Sequence, residues 1–416
     1  MNDLQALQAR YANLQSHQMS LDLTRGKPGT EQLDLCNGLD GVLEGDYTSL
    51  DGIDTRNYGG LRGIRDARLV GQRLLDIPEE RVIAGGNSSL QLMYITVDQI
   101  LNRGLVGSAL KTRTKNIAIC LVPGYDRHFH LCKYFGIEMV NAAMDENGPD
   151  MDYVETLVRD NPATSLLWCV PKHSNPTGCT FSDEVIDRLA ALPKIREADP
   201  DNPFYVLCDN AYAVHDFLDS AQPLPNLDDR ARYHGTQDRV IQFASTSKIT
   251  FAGAGVGFIG GSEKVLAEFE RAIGAISVGF DKVNQLRHAR FLDYGSGVTA
   301  HMRKHAEILR PKFAAVQRAL ETELGNLGVA TWTQPTGGYF VSLDVPSGMA
   351  KKVVQAAKDC GLALTPAGAT FPYGNDPDDK NIRIAPTYAT LEQVEAAMEI
   401  LTVCVKLVVA KHRPSK

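Results

Sequence analysis

The sequence predicts an α/β fold, with a mostly parallel central sheet, helices on both of its faces, and a smaller α+β unit. Short, almost continuously apolar runs alternate with longer segments of helical period, as expected for parallel strands that are buried on both faces. The pattern changes near residue 300, where a long helical segment precedes short strands and a closing helix. With 416 residues, the chain is long enough for two or three compact units.

The elements of the first unit can be placed in chain order. Apolar residues from Leu4 to Leu14 recur at helical spacing and predict an amphipathic helix packed on another part of the chain. A helix is predicted over 183–192 and a loop over 219–230. The predicted strands of the central sheet are the apolar runs IAICLV (117–122), SLLWCV (165–170), FYVLCD (204–209), VIQFAS (240–245) and VGFIGG (256–261).

The second unit has a different order of elements. It is predicted to contain a helix over 298–324, strands near 331 and over 339–344, a helix over 350–360, a strand over 382–384 and a helix over 391–411. We therefore predict a large domain over residues 46–300, a small C-terminal α+β domain over 301–416, and an N-terminal segment, 1–45, that joins the small domain.

Composition disfavours several classes of function. The net charge of −7 is mixed in sign and contains no long basic run, so neither nucleic acid nor membrane is an expected partner. No apolar stretch approaches the roughly 18 residues of a membrane span, and the N-terminus lacks the pattern of a secretory signal. None of the eight cysteines forms a C-x-x-C pair, which favours free thiols over disulfides or zinc. We expect a cytoplasmic protein without a metal site.

Polar residues directly follow four of the predicted strands. In an open parallel sheet, ligands bind at the carboxyl ends of the strands. The residues in these positions are Tyr125 after the first run, Asn175 within Asn-Pro-Thr-Gly after the second, Asp209 and Tyr212 at the end of the third, and Ser245, Ser247 and Lys248 at the end of the fourth. We expect them to form one site.

The order Asn-Pro-Thr-Gly, Asp-x-x-Tyr and Ser-x-x-Lys resembles the fold type I, pyridoxal-phosphate (PLP)-dependent aminotransferases of classes I and II. It is most similar to an outlying bacterial subgroup of the aspartate aminotransferase family. The resemblance extends from Gly26 to Arg383; each motif alone is weak, but the ordered set is specific. It implies a PLP cofactor and a homodimer with shared active sites. The implied reaction is transfer of an amino group, with L-aspartate as the first expected donor, to 2-oxoglutarate through aldimine and ketimine intermediates.

The resemblance implies a role for each strand-end residue. Lys248 would carry PLP as a Schiff base and then move a proton as acid and base. Asp209 would keep the pyridine nitrogen protonated, Tyr212 and Asn175 would hydrogen-bond the phenolic oxygen, and Tyr125 would stack on the ring. Taken singly, Lys248 could also be a surface lysine, Asp209 a helix N-cap or metal ligand, and Tyr125 a core aromatic residue.

A glycine-rich turn before a predicted helix is suited to bind the cofactor phosphate, because free backbone N–H groups and the helix dipole point the same way. The resemblance implies that the phosphate is held by Gly86, Asn87, Ser88, Ser245, Ser247 and, from the neighbouring subunit, Tyr58.

The chain departs from the family beside this phosphate. The family has an arginine eight residues after the lysine, whereas the corresponding turn here is one residue tighter and contains Gly255. A phosphate dianion without a cation is poorly compensated in a partly desolvated site. We expect Lys282 of a partner subunit to supply the charge, with the hydroxyls of Ser247 and Ser89 as the alternative.

Substrate binding is implied at both ends of the chain. Arg383 matches the family arginine that holds the α-carboxylate as a bidentate pair, and Gly26 matches a glycine whose backbone lies against the substrate. Asn175 would also contact the substrate. No motif identifies the cation that reads a distal carboxylate; the candidates are Arg25, Lys27 and Arg56.

Other functions remain possible. The same lysine and aspartate would serve an aminotransferase for alanine, 2-aminoadipate or aromatic amino acids, or a β-lyase or decarboxylase, although Arg383 disfavours loss of the carboxylate. A PLP-sensing transcription regulator would need a DNA-binding domain, and only about 25 residues precede Gly26. A nucleotide-binding dehydrogenase would need a G-x-G-x-x-G turn after its first strand, which is missing.

Overall fold

The computed structural model describes residues 4–199 and 201–412, so the ends of the predicted terminal segments, 1–3 and 413–416, lie outside the described residues. The strands are β1 (Leu21–Leu23), β2 (Val82–Ala84), β3 (Ile117–Val122), β4 (Glu138–Asp145), β5 (Gly148–Pro149), β6 (Thr164–Cys169), β7 (Tyr205–Asp209), β8 (Val240–Ser245), β9 (Gly257–Gly260), β10 (Thr331–Trp332), β11 (Val341–Asp344), β12 (Leu362–Leu364) and β13 (Asn381–Ile384).

The α-helices are α1 (Leu4–Ser16), α2 (Thr30–Asp34), α3 (Arg65–Leu75), α4 (Ser89–Asn102), α5 (Asp126–Tyr134), α6 (Met151–Asp160), α7 (Asp183–Ala191), α8 (Leu227–His234), α9 (Glu263–Ile276), α10 (Lys282–Phe291), α11 (Val298–Leu324), α12 (Ala350–Asp359) and α13 (Leu391–His412). No helix in the described part of the chain is long and apolar enough to span a membrane.

An eight-stranded sheet forms the centre of the large unit, in the order β2-β9-β8-β7-β6-β3-β4-β5. The strands from β8 through β4 pair in parallel, while β9 is antiparallel to both neighbours and β5 is antiparallel to β4. The predicted α/β fold is therefore confirmed, and all five predicted runs are strands of this sheet within one residue of their expected ends.

Both faces of the sheet are covered, which explains the almost continuous apolar runs. On β3, Cys120 packs in the layer that contains α4 and α9, whereas Ile119 packs in the opposite layer with α6 and α7. Each strand residue is therefore buried whichever way its side chain points. The arrangement leaves the carboxyl ends of the strands as the place where polar residues can gather.

The second unit contains an antiparallel sheet, β10-β11-β13, and the long helices α11 and α13. The N-terminal segment packs on this unit: β1 pairs in parallel with β12, and Leu14 and Leu23 lie in the same apolar core as α11 and α13. The domain boundaries that we drew from the sequence remain predictions.

One predicted element is wrong at its end. The loop expected over 219–230 ends at Asn226, whose side chain caps α8 by accepting a hydrogen bond from the Asp229 backbone N–H at 3.0 Å. Asparagine and aspartate are typical of loops, but they also begin helices, and here they do the latter.

Candidate active site

The predicted strand-end residues meet at one edge of the central sheet. Because β3, β6, β7 and β8 are consecutive parallel neighbours, their carboxyl ends lie side by side. Asp209 ends β7, and the segments that follow β3, β6 and β8 carry Tyr125, Asn175 and Lys248. The structure thus brings together side chains that lie up to 123 positions apart in the sequence.

Asp209 has one satisfied and one unsatisfied carboxylate oxygen. Its side chain is only 4% exposed, and Oδ2 lies 3.3 Å from Nε2 of His128. Oδ1 is buried and has no hydrogen-bond partner among residues 4–199 and 201–412. Leaving a buried carboxylate oxygen unpaired is costly, so Oδ1 indicates a donor that the chain itself does not supply. A protonated ring nitrogen is such a donor.

His128 is a site residue that the sequence analysis missed. Its ring stacks on Trp168 with centroids 4.5 Å apart and an interplanar angle of 16°. The Trp168 indole therefore fixes the ring plane, and Nε2 is held toward Asp209. Its position three residues after Tyr125, on the first turn of α5, could have suggested it, because residues three apart share a helix face.

Lys248 lies close to Tyr212 and Asp209. Its Nζ lies 4.9 Å from the centre of the Tyr212 ring. Burial lowers the pKa of the Lys248 ammonium, an effect that the Asp209 carboxylate partly opposes. A lowered pKa makes the neutral amine, which is the nucleophile, more available. Burial also raises the pKa of the Tyr212 phenol and keeps that group protonated.

Tyr125 stands at the start of α5 beside the same groups. Its ring meets the His128 ring edge to face at 5.1 Å. Burial and the Asp209 carboxylate raise the pKa of the Tyr125 phenol, so this residue presents a neutral aromatic face.

Arg383 is a buried guanidinium on β13, with a side chain that is 6% exposed. It donates to Asn175 Oδ1 at 3.2 Å and to Thr365 Oγ1 at 3.2 and 3.3 Å. It lies over the Phe340 ring at 4.9 Å and has the Asp126 carboxylate 3.5 Å away. The partly exposed Asp126 carboxylate thus places a negative charge beside the guanidinium to which a substrate carboxylate would bind.

Gly26 packs against Phe340, the ring over which the Arg383 guanidinium lies. A Cβ at this position would lie 2.3 Å from Cζ of Phe340, the ring that carries Arg383. Any larger residue would displace the ring and with it the guanidinium. The structure therefore explains glycine at this position by a close approach.

The predicted phosphate turn lies at the start of α4. Gly86 and Asn87 precede Ser88, the N-cap of the helix, and the Ser88 side chain makes no hydrogen bond to the helix. Asn87 Nδ2 donates to the Gly253 carbonyl at 3.3 Å, which brings the turn after Lys248 to this helix end. Ser245 Oγ accepts from the Ser247 backbone N–H at 3.4 Å. Hydroxyls and a helix N-terminus therefore gather beside the lysine.

Gly255 is buried where the expected arginine is missing. A Cβ there would lie 3.0 Å from Thr246 Oγ1 and 3.2 Å from the Ser247 backbone nitrogen. A side chain at this position would require Thr246 or Ser247 to move by a few tenths of an ångström, so the tight turn fits glycine.

Tyr58 and Lys282 do not reach the site of their own chain through any contact of the described residues. The Tyr58 side chain is exposed (83%), whereas Lys282 is buried and donates to the Gly59 carbonyl at 2.5 Å. The segment that carries Tyr58 is therefore joined to the start of α10 through the Lys282 side chain. Their predicted roles beside a partner's phosphate remain predictions.

The sequence profile of the family described as aspartate amino-transferase matches residues 1–416. The chain belongs to this family of fold type I aminotransferases. An aspartate aminotransferase of Corynebacterium glutamicum is 44% identical over 98% of this chain and 93% of that protein.

Solved structures agree with this membership. The crystal structure of an aspartate transaminase from Corynebacterium glutamicum is similar to the chain with a TM-score of 0.94 and 43% identity, covering 98% of this chain and 96% of that one. LysN, an α-aminoadipate aminotransferase of Thermus thermophilus, has a TM-score of 0.76 at 21% identity, over 94% of this chain and 93% of that one, which supports the fold alone.

The chain is thus an aminotransferase that acts on amino acids and 2-oxo acids, and its family uses PLP. The residues present fit this cofactor. The free Oδ1 of Asp209 suits the protonated ring nitrogen, Lys248 suits the aldehyde, and the start of α4 suits the phosphate.

Proposed function

We propose that this aminotransferase binds PLP at Lys248 and transfers the amino group of L-aspartate to 2-oxoglutarate. The observation that carries the cofactor assignment is the buried Oδ1 of Asp209, which has no hydrogen-bond partner within the described ranges, together with the lowered pKa of Lys248. The preference for aspartate is supported by the 44% identity to an aspartate aminotransferase along nearly the whole chain.

PLP, when bound, supplies an electron sink for negative charge at the substrate Cα. The Lys248 amine takes the proton from Cα and later returns a proton, because burial lowers its pKa toward the working range. Asp209 holds a proton on the ring nitrogen through Oδ1, while His128 and Trp168 keep the carboxylate in place.

Arg383 orients the substrate in this proposal. Its guanidinium offers a planar fork to the α-carboxylate, and its N–H groups are held by Asn175, Thr365 and the Thr24 carbonyl. Fixing the carboxylate fixes which Cα bond faces the Lys248 amine, and the C–H bond rather than the C–CO₂⁻ bond is then broken. Arg383 therefore favours amino transfer over decarboxylation.

We also propose a homodimer in which each subunit completes the other's site. Around Tyr58, the side chains of Ile276 and Val278 are 65% and 61% exposed, and Gly279 lies against Gly59. Apolar side chains exposed beside a phenol suit contact with a second copy better than contact with water. Tyr58 would then enter the neighbouring site.

Spectroscopy and peptide mapping test the cofactor assignment. Borohydride treatment of the purified protein is expected to bleach its visible band and to attach the cofactor covalently to the peptide that contains Lys248. The Lys248→Ala variant should not be labelled, whereas Lys264→Ala, which removes an exposed lysine paired with Asp238 at 2.9 Å, should be labelled like the wild type. A colourless protein that takes up no PLP would overturn the assignment.

A donor screen against 2-oxoglutarate tests the substrate. We expect the highest kcat/KM for L-aspartate among aspartate, alanine, 2-aminoadipate and the aromatic amino acids. A higher value for any other donor would replace aspartate and leave the PLP assignment standing.

A further inference from the structure

A buried cluster of one thiol and two imidazoles lies behind the active-site lysine. Cys36 follows α2, and His301 and His305 lie one turn apart on α11. Their exposed fractions are 0%, 8% and 1%, and one ligand atom of each lies within 4.8 Å of the others. The cluster takes no part in the chemistry proposed above.

The separations within the cluster suit a tetrahedral metal ion. Cys36 Sγ lies 3.6 Å from His301 Nε2, and the Nε2 atoms of His301 and His305 lie 3.1 Å apart. Zinc bonds of about 2.3 Å to sulfur and about 2.05 Å to nitrogen would set these distances at about 3.6 and 3.3 Å. The Ile249 carbonyl oxygen is a fourth electron-pair donor, 3.4 Å from Cys36 Sγ. It lies 2.7 Å from His301 Nε2, so this pair would have to separate by about 0.6 Å to reach the roughly 3.3 Å of a tetrahedral zinc site.

Without a cation, and while the Gln32 amide oxygen accepts from Gly29, no pair of neutral tautomers satisfies this cluster. The Gly29 N–H donates to Gln32 Oε1 at 3.2 Å, so Gln32 Nε2 donates to His305 Nδ1 at 3.0 Å. The proton of neutral His305 is then on Nε2, facing Nε2 of His301. If His301 Nε2 carries a proton, two N–H groups face each other. If it carries a lone pair instead, that lone pair faces the lone pairs of the Ile249 carbonyl oxygen.

We propose that Cys36, His301 and His305 bind a zinc ion, with the Ile249 carbonyl completing the tetrahedron. A cation turns the conflicting contacts into attractions, because all four atoms can present lone pairs to it. The His305 proton then resides on Nδ1, and the Gln32 amide turns so that its oxygen accepts it, in exchange for the 3.2 Å bond from Gly29 and the 3.0 Å bond to the Tyr339 hydroxyl. Binding releases the proton of the Cys36 thiol.

The position of the ion indicates a positioning role. Ile249 directly follows Lys248, so the metal would fix the backbone just after the lysine. It would also join the segment after α2 to α11, a helix of the second unit whose later turns lie in that unit's core. This site differs from the sequence expectation of no metal, because Cys36 lies 265 positions before the first of the two histidines.

Metal analysis of the holoenzyme tests the proposal. After expression with added zinc and removal of loose metal, elemental analysis should find about one zinc per chain. Cobalt exchanged into the site should give strong tetrahedral d–d bands in the red, away from the cofactor's absorption. Both signals should be lost in Cys36→Ser and kept in Cys404→Ser, which alters another buried thiol.

The outcome does not depend on one variant folding. His305→Gln is a second ligand variant and should also lose the cobalt bands, and circular dichroism reports folding for each protein. Removal of zinc by a chelator should lower the unfolding temperature of the wild type but not of Cys36→Ser. Wild-type holoenzyme that holds no zinc and gives no cobalt bands overturns the proposal, and leaves the aminotransferase assignment untouched.

Discussion

Replacing Arg383 with lysine tests how much of the reaction depends on a planar guanidinium. Lysine keeps the positive charge but offers a point charge instead of a fork. In the structure, the fork is held by Asn175 at 3.2 Å and by Thr365 at 3.2 and 3.3 Å, and its side chain is 6% exposed. The variant should therefore lose one of the two hydrogen bonds to the substrate α-carboxylate while the charge remains.

The expected magnitude follows from that one bond. A hydrogen bond to a charged group contributes about 1.5–3 kcal/mol, so kcat/KM for the best amino-acid donor should fall about 10- to 150-fold in Arg383→Lys. For an amine donor without an α-carboxylate, the two proteins should differ little. Steady-state assays with 2-oxoglutarate provide both values.

Arg81→Lys is the matched control, because Arg81 is also a largely buried arginine, ion-paired with Asp228 at 2.8 Å, but outside the site. Its kcat/KM should stay near that of the wild type. Unfolding temperatures of both variants separate a loss of catalysis from a loss of structure. A decrease of less than about threefold in Arg383→Lys, well short of the loss of one charged hydrogen bond, would refute the role given to this residue.

Other substitutions examine the remaining parts of the site. Gly255→Arg should lower stability by about 1–3 kcal/mol and weaken PLP binding, since its Cβ would meet Thr246 at 3.0 Å; tighter binding in a cofactor titration would contradict this. Burial lowers the pKa of His288 to about 4, so the unfolded chain is protonated first and stability falls as the pH drops from 6.5 toward 4. Between pH 7 and pH 5 the His288 share amounts to about 2 kcal/mol in urea unfolding, so the loss of stability over this range should be smaller by that amount in His288→Gln; an unchanged loss would contradict the reasoning. Mixing Tyr58→Ala with Lys248→Ala subunits should restore about a quarter of the sites if the sites are shared, and none if they are not.

The sequence was sufficient for five of the eight strands of the sheet and for the residues at its edge. Buried parallel strands have a strong local signal, and the carboxyl ends of neighbouring parallel strands lie side by side. The sequence alone could therefore group Asn175, Asp209 and Lys248. Roles such as that of His128 depend on a ring plane fixed by Trp168, a contact between residues 40 positions apart. Hydrophobic periodicity does not predict such a contact.

The same limit applies to contacts made by single charged atoms. The approach of Asp126 to Arg383 and the bond from Lys282 to the Gly59 carbonyl depend on side-chain rotamers and on turns between distant elements. Sequence spacing predicts which face of a helix a residue occupies, but not which atom across a cleft it meets. The cluster of Cys36 with two histidines was missed for the same reason.

The charge balance at the phosphate follows from the packing of Gly255. A Cβ at Gly255 would lie 3.0 Å from Thr246 Oγ1 and 3.2 Å from the Ser247 nitrogen, so an arginine here would require a small shift of the segment that carries Lys248. Lys282 is bound to the Gly59 carbonyl, one residue after Tyr58, so a second copy that inserted the phenol would bring this ammonium with it. A subunit alone would then lack both the phenol and the cation. We therefore expect loss of the family arginine and dependence on the dimer to be linked, so that dilution into monomers releases the cofactor.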